Sequence, residues 1–275
     1  MDTVSFFKAV ALGVVEGLTE FLPISSTGHL IIAEHLLFFQ GEKAKVFTTF
    51  IQLGAILAVC WEYRLRLIRA FTGIPSDRGQ LRFVVNLGVA FLPAGILGLI
   101  FGKHVKQYLF HPLPVASAFI LGGIVILWLE RRKTRKVYIQ HVDDLRIRDA
   151  LLVGFAQALA LFPGTSRSGA TIIGGMFFGL SRQAATEFSF FLALPTLSAA
   201  ALYDLWKQRD ILTSADLPFF AVGFLAAFGS AILAVRGLIR YVAHHDFSVF
   251  AWYRIVFGGL VLVSAWMGWI SWTAH

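Results

Sequence analysis

Two glutamates in an apolar N-terminal stretch are the first residues whose chemistry requires an explanation. Glu16 and Glu20 are four residues apart, so on a helix both carboxylates face the same side. With no basic residue close in the sequence they would repel each other, which predicts a protonated carboxyl group or a bound divalent cation. Magnesium or calcium suits such an oxygen-only ligand set, and either role suits hydrolysis of a phosphate ester. The alternative is a structural pair at the level of the lipid headgroups.

A polar run after this pair supplies hydroxyls, a flexible glycine and an imidazole, and consists of Ser25, Ser26, Thr27, Gly28 and His29. An apolar helix is predicted to follow, and the N–H groups at its start would attract an anion. Ser26 and His29 are three residues apart, so they could meet across one turn as nucleophile and base. Ser25 and Thr27 could equally be ordinary helix caps.

A second polar run repeats this design with an arginine, and consists of Ser166, Arg167, Ser168 and Gly169. A guanidinium inside an apolar segment requires an anionic partner, and its planar fork suits phosphate. Arg167 could instead form a structural bridge with Glu16 or Glu20. Together the two runs offer a base, a nucleophile, acidic metal ligands and an arginine clamp, a set that is more specific than any of its parts.

The composition excludes a water-soluble globular protein. Of the 275 residues, 57% are hydrophobic and only 15% are charged, and the mean hydropathy is +0.72. Too few polar side chains exist to cover a core of this size, so the chain is predicted to be an integral membrane protein. The net charge of +8 is not evidence for nucleic acid, because membrane orientation also uses Lys and Arg. The single cysteine, Cys60, excludes an internal disulfide and a cysteine-ligated metal cluster.

Uncharged runs predict six membrane-spanning helices, at 46–61, 83–102, 112–129, 188–203, 217–235 and 255–275. Two further segments, 10–39 and 150–180, are apolar but are interrupted by the polar runs. Each is predicted to be a re-entrant helix–loop–helix, because irregular backbone at membrane depth is tolerated only in protein or in a wet cavity. A kinked spanning helix with a snorkelling charge is the alternative.

The distribution of basic residues predicts the orientation. The loops 62–82 and 131–148, with the loop after the fifth span, carry 14 Lys and Arg, against six in the opposite loops. The positive-inside rule puts the 14 in the cytoplasm. Both termini then lie outside, provided that each broken segment enters and leaves on one side. The N-terminus has early carboxylates and does not resemble a cleaved signal peptide.

The chain also repeats itself weakly. Gly13 and Glu16 correspond to Gly154 and Gln157 at an offset of 141, and Phe47, Phe50 and Leu53 correspond to Phe188, Phe191 and Leu194 at the same offset. Pro23 and Ser26 match Pro163 and Ser166 at an offset of 140. A single membrane domain, 1–275, is thus predicted to hold two pseudo-repeats, about 1–135 and 145–275. Since each has three spans, the second is inverted and the two broken loops meet near the midplane.

Other polar residues are assigned structural roles. Gln52, Asn86 and Arg254 lie in or at the edge of predicted spans and are interpreted as contacts between helices or interface anchors. Glu187 and Asp204 lie at span ends and are expected to be solvated.

Two long motifs resemble those of one known family. Glu16-Gly-Leu-Thr-Glu20-Phe-Leu-Pro-Ile-Ser-Ser-Thr-Gly-His29 and Pro163-Gly-Thr-Ser-Arg-Ser-Gly-Ala-Thr171 look like the undecaprenyl-diphosphate phosphatase family associated with bacitracin resistance. The resemblance covers essentially the full chain. It implies removal of the terminal phosphate of undecaprenyl diphosphate, which recycles the lipid carrier for peptidoglycan, and an inverted-repeat fold with two re-entrant regions.

The resemblance also implies roles for individual residues. Glu16 and Glu20 would be the acidic pair, Ser26 the nucleophile, His29 its acid/base partner and Arg167 the phosphate ligand. Secondary phosphate contacts would come from the neighbouring residues Ser25, Thr27, Gly28, Ser166, Ser168 and Gly169.

The sequence therefore predicts a polytopic hydrolase of the bacterial inner membrane, with its site facing the periplasm and a divalent cation as cofactor. Its partners would be a polyprenyl diphosphate and membrane lipids but no nucleic acid, and a homo-oligomer is compatible with the sequence. The rival is a transporter or flippase of an anionic polyprenyl lipid, because inverted repeats with broken loops are also typical of transporters. A channel is a weaker third reading.

Overall fold

The computed structural model describes residues 2–132, 136–211 and 213–269. In these residues eleven α-helices follow one another, with four short 3₁₀ helices and no strand beyond one isolated bridge. The helices are α1 Thr3–Thr19, α2 Ser26–Leu36, α3 Glu42–Glu62, α4 Arg64–Gly73, α5 Arg78–Leu109, α6 Pro112–Arg131, α7 Ile147–Ala158, α8 Arg167–Phe177, α9 Arg182–Lys207, α10 Leu217–Val242 and α11 Ser248–Trp266. Part of the predicted basic loop (133–135) and the end of the last predicted span (270–275) lie outside the described residues.

The six predicted spans are confirmed by helices that are long and apolar enough to cross a bilayer: Glu42–Glu62, Arg78–Gly102, Pro112–Arg131, Arg182–Lys207, Ser214–Val242 and Ser248–Trp266. The last of these begins earlier than the uncharged run at 255. The reason is Arg254, which interrupts the run in the sequence but continues the helix, because its side chain is buried and hydrogen-bonded inside the protein.

Each broken segment folds as two helices joined by a short loop, α1 to α2 and α7 to α8. Both loops end in a serine with a left-handed backbone, Ser25 at φ 70° and Ser166 at φ 71°. The following helices correspond at one constant offset of 141 residues, from 26 to 167 at their starts and from 36 to 177 at their ends. Ser25 is therefore the counterpart of Ser166, and Ser26 of Arg167. The sequence match of Pro23 and Ser26 with Pro163 and Ser166, at an offset of 140, therefore differs by one position from the alignment of the two helices.

Each helix pair returns to the end from which it starts. Before α7, the N–H of Tyr138 donates to the Gly179 carbonyl that follows α8 (2.9 Å), and the Ser181 N–H donates to the Ile139 carbonyl (2.8 Å). In the first pair, Lys8 near the start of α1 donates to the Phe38 carbonyl after α2 (3.4 Å). This return is what a re-entrant segment requires, while its depth in a bilayer stays a prediction.

The two halves are packed into each other rather than side by side. Helix α1 lies along α10, and its counterpart α7 lies along α5, while α3 meets α9 and α6 meets α11. Close approach requires glycine at equivalent positions, because a Cβ at Gly13 would lie 2.3 Å from the Gly223 carbonyl oxygen and one at Gly154 would lie 2.5 Å from that of Ala90. This reciprocal packing brings the two loops together in the centre of the molecule.

Candidate active site

A short chain of polar contacts joins the two loops. The Ser26 hydroxyl donates to Glu20 Oε2 (2.5 Å), and Arg167 Nη2 donates to Glu20 Oε1 (3.1 Å). The ion pair is buried, with side-chain exposures of 9% for Arg167 and 6% for Glu20. Three of the predicted residues from two distant motifs therefore meet at one carboxylate.

Arg167 is held on its other side by α9. Its Nη1 donates to the Ser189 carbonyl (2.9 Å) and lies 3.2 Å from the Ser189 hydroxyl, which in turn accepts from Thr171 (2.6 Å). Arg167 Nε has no hydrogen-bond partner among the described residues. The bridge to Glu20, left open by the sequence, is present, and its role as a phosphate clamp stays a prediction.

Glu16, the other carboxylate of the acidic pair, makes no ion pair of this kind among the described residues. It is 1% exposed, and neither carboxylate oxygen has a hydrogen-bond partner in the part of the chain that the structure describes. The helical relation to Glu20 holds, since the Glu20 N–H donates to the Glu16 carbonyl (2.9 Å). The pair is buried inside the protein and its depth in a bilayer stays a prediction, while Arg167 supplies Glu20 with the basic neighbour that the local sequence lacks.

Glu16 and Ser26 open onto a cavity of about 210 Å³ between α1, α2 and α3. The polar part of its lining comes from Glu16, Ser26, Thr27, Glu34, Lys45, Thr48, Thr49, Gln52, Asp204 and Gln208. A cavity with this lining can take a charged headgroup, because its hydroxyl and amide groups offer hydrogen-bond donors and acceptors.

His29 does not pair with Ser26. Its Nδ1 bonds to the Ser25 carbonyl (2.7 Å) and its Nε2 to the Tyr253 hydroxyl (2.6 Å). The predicted contact across one turn is wrong, because the ring points to α11 while the Ser26 hydroxyl points to Glu20. The group placed to take the Ser26 proton is the Glu20 carboxylate.

The predicted secondary contacts divide into two groups. Thr27 lines the cavity beside Ser26, and Ser25 is buried but makes no capping hydrogen bond. Gly28 packs on the Phe119 ring, where a Cβ would come within 2.6 Å. In the second loop the polar groups bond to the protein itself: Ser166 Oγ accepts from the Gly169 N–H (3.1 Å) and lies 3.1 Å from Ser168 Oγ, and Ser168 donates to the Leu22 carbonyl (2.7 Å).

Arg254 fastens both loops to the helices behind them. Its guanidinium is 1% exposed and donates to four carbonyl oxygens, those of Pro23 (3.1 Å), Gly164 (3.0 Å), Ala118 (3.0 Å) and Phe119 (3.3 Å). The prediction of a contact between helices is correct in kind, but the residue also fixes the backbone on which Ser26 and Arg167 stand. An arginine inside a 19-residue apolar helix is the sequence signal for such a role.

Sequence reasoning missed part of the cavity wall. Gln52, interpreted as a contact between helices, lines the cavity with Thr48 and Thr49, whose spacing on α3 puts all three on one face. Asp204, expected to be solvated at a span end, lines it too. By contrast, Asn86 makes a structural contact, but to a loop and not to a helix: its amide donates to the carbonyl of Leu145, which lies just before α7 (2.9 Å).

The side chains that line the cavity limit where a divalent cation could bind. In the described ranges no three His, Cys, Asp or Glu side chains form a metal site, and both Glu20 oxygens are already bonded. The unpartnered Glu16 carboxylate and the Gln52 side-chain oxygen, which line the same cavity, are the groups that would hold such an ion.

Comparison with known proteins identifies the family. The profile of the bacitracin resistance protein BacA family matches residues 9–260. An undecaprenyl-diphosphatase of Nitrosospira multiformis is 63% identical over 273 residues, covering 99% of this chain and 100% of that protein. Undecaprenyl-diphosphatase 2 of Rhodospirillum rubrum and the undecaprenyl-diphosphatase of Nitrosomonas eutropha are each 62% identical, over the full length of both chains. The chain is therefore a member of the bacitracin resistance protein BacA family.

Proposed function

We propose that this membrane enzyme hydrolyses undecaprenyl diphosphate to undecaprenyl phosphate and inorganic phosphate. The observation that carries the proposal is the 2.5 Å hydrogen bond from Ser26 to Glu20 at the wall of a polar cavity. The full-length relatives named undecaprenyl-diphosphatase support the same reaction. They give no support to the transporter or flippase alternative.

In the first step Ser26 attacks the terminal phosphorus. A bond forms between Ser26 Oγ and phosphorus while the bond from phosphorus to the bridging oxygen breaks, and undecaprenyl phosphate leaves with that electron pair. The hydroxyl proton passes to Glu20 Oε2, its hydrogen-bond partner. This step uses a hydroxyl that is already bonded to a carboxylate at the cavity wall.

In the second step water releases the phosphate. Water attacks the phosphoserine, the bond between phosphorus and Ser26 Oγ breaks, and inorganic phosphate leaves. The carboxyl group of Glu20 returns its proton to the serine oxygen while it takes one from the water. The enzyme is thereby restored.

Arg167 supplies the positive charge. Its guanidinium is bonded to Glu20 and Ser189, so it is held in place before the substrate binds. As Glu20 takes up a proton its attraction for Arg167 weakens, and the guanidinium can turn its donors to the phosphoryl oxygens. The first-turn N–H groups of α2 add donors at the same point.

A divalent cation, magnesium or calcium, would be held by Glu16 with the side-chain oxygen of Gln52. When bound it would neutralise charge on the diphosphate. The neutral oxygens and amides of the cavity wall support this proposal, because they complete a ligand set without further carboxylates.

The site is proposed to face the periplasm from a bacterial inner membrane, with both helix pairs re-entrant. The excess of Lys and Arg in the loops 62–82 and 131–148 supports this orientation. In a Cys60→Ala background, Val105→Cys should react with an impermeant maleimide on intact cells and Tyr138→Cys should not. The reverse pattern overturns the orientation and the periplasmic site.

The hydrolase is tested with purified protein in detergent, where transport contributes nothing to the signal. The parent should release phosphate from undecaprenyl diphosphate, and Ser26→Ala should lower kcat at least about 10³-fold while substrate still binds, because the nucleophile acts only in the chemical step. Ser25→Ala, one residue away, should cost much less.

A turnover of Ser26→Ala near that of the parent would show that water attacks directly. Phosphoserine trapped at residue 26 during turnover supports the covalent route. If the parent releases no phosphate, the hydrolase proposal fails.

A further inference from the structure

His29 stands on the side of α2 that faces away from the cavity. The cavity face of this helix carries Ser26, Thr27, Leu30, Ile31 and Glu34. With 100° per residue His29 lies outside that face, and its ring packs between helices instead. It stacks on Phe257 at 4.3 Å and on Tyr253 at 5.6 Å between ring centroids. An imidazole so placed is not positioned to reach a phosphoryl group in the cavity.

Both nitrogens of His29 are already used. A carbonyl oxygen only accepts, so Nδ1 carries the proton that it donates to the Ser25 carbonyl (2.7 Å). In the neutral ring Nε2 then accepts from the Tyr253 hydroxyl (2.6 Å). The Ser25 carbonyl therefore selects the tautomer, and the Tyr253 hydroxyl complements it by donating to Nε2.

In the second loop the serine before the helix makes hydrogen bonds to the first turn of that helix, and its hydroxyl cap has no equivalent in the first loop. There the Ser166 carbonyl accepts from the Ala170 N–H (2.9 Å), and the Ser166 hydroxyl caps the Gly169 N–H (3.1 Å). In the first loop Ser25 has the same left-handed backbone but its hydroxyl makes no capping bond. The counterpart of His29 is Ala170, which has no side chain that could hold a carbonyl.

We propose that Tyr253 is a positioning residue for the hydrolysis, and that it acts through His29 on the backbone of Ser25. The Tyr253 hydroxyl fixes the His29 ring, the ring holds the Ser25 carbonyl, and the held backbone aims the next residue, Ser26, at Glu20. His29 is thereby a support for the nucleophile and not its base. This inference rests on the proposed function.

The test removes one hydroxyl at a time. Tyr253→Phe keeps the stacked ring and should lower kcat three- to tenfold with KM unchanged, as expected for one hydrogen bond that orients a reacting group. Tyr241→Phe is the matched control, because Tyr241 also stacks on a histidine, His245 at 4.6 Å, far along α10 from the site. It should keep the parental kcat. A parental kcat in Tyr253→Phe overturns the proposal.

A second pair of variants separates a support from a base. The amide of His29→Asn can still donate from the Nδ1 position to the Ser25 carbonyl, whereas His29→Ala cannot. We expect His29→Asn to keep a kcat at least tenfold above that of His29→Ala. If both variants are equally inactive, His29 acts as an acid or base and the proposal is wrong.

Nitrogen NMR of histidine-labelled protein gives a readout that does not depend on activity. The His29 signals, assigned by their loss in His29→Asn, should show a protonated Nδ1 and an unprotonated Nε2, and Tyr253→Phe but not Tyr241→Phe should shift Nε2. A protonated Nε2 in the parent overturns the inference. A parent with these signals but no phosphate release would instead overturn the proposed function alone.

Discussion

The helices α2 and α8, with the loops before them, have the same backbone conformation but carry different functional side chains. They begin and end at equivalent residues, and both follow a left-handed serine. Yet the equivalent positions carry different side chains: Ser26 corresponds to Arg167, Glu16 to Gln157, and His29 to Ala170. In the proposed mechanism the first helix pair supplies the nucleophile Ser26 and the carboxylates, and the second supplies the guanidinium of Arg167. The two equivalent supports thus carry different side chains, and those of Ser26 and Arg167 both bond to Glu20.

The largest effect expected from the second loop is that of its arginine. Arg167→Lys should lower kcat about 10²-fold, because an ammonium group cannot span Glu20 and Ser189 and still reach phosphate as the planar fork does. Phosphate release in detergent measures it. Arg182→Lys is the control, since Arg182 makes a two-point pair with Glu130 at the end of the fold away from the cavity, and it should keep its turnover. Near-parental turnover of Arg167→Lys would contradict the assignment of phosphate binding to the second loop.

Exchange of the equivalent residues Glu16 and Gln157 sharpens the comparison. Glu16→Gln should lower kcat about tenfold or more, because the unpartnered carboxylate on the cavity is lost. Gln157→Glu should leave kcat within a few-fold but destabilise the fold by about 2 kcal/mol, because it buries a carboxyl group where the Thr196 hydroxyl is its one partner among the described residues. Thermal unfolding and phosphate release separate the two effects. A loss of stability in Glu16→Gln that matches Gln157→Glu would make Glu16 a structural residue.

The smallest effect concerns the two serines that end the loops. Ser166→Ala should lower the stability by about 1 kcal/mol, because it removes the cap on Gly169, and this corresponds to a fall in Tm of about 2–4 °C. Ser25→Ala removes no capping bond and should lower Tm less. Tryptophan fluorescence during heating measures both variants. Equal shifts would show that the caps do not distinguish the loops.

The sequence predicts the membrane architecture because each part of it is a local property. An uncharged run of sufficient length becomes a helix wherever it lies, and a Pro, Ser and Gly break interrupts it. Six spans and two broken segments follow from that pattern. The exception is Arg254, whose charge conceals the first turns of α11 in the pattern but is satisfied by carbonyls from three separate segments.

The site is predictable in its residues but not in its pairings. Ser26, Glu20 and Arg167 stand out because polar groups at membrane depth are costly. The sequence pairs Ser26 with His29, three residues away, because only neighbours along a helix can be inferred from spacing. The actual partner of His29 is Tyr253, 224 positions along the chain, which depends on the packing of α2 against α11. Gln52 belongs to the cavity for the same kind of reason.

The reciprocal packing of α1 on α10 and of α7 on α5 has a consequence for synthesis of the protein. Helix α1 can pack on its main neighbour, α10, only after about two hundred further residues have been translated. Until then Glu16 and Glu20 lie in the bilayer or at the translocon without the contacts that they make in the folded protein. Such long separations between contacting segments favour slow maturation and leave early chains exposed to proteases. A nascent chain stopped before α10 would therefore contain both polar loops and still be inactive as an enzyme.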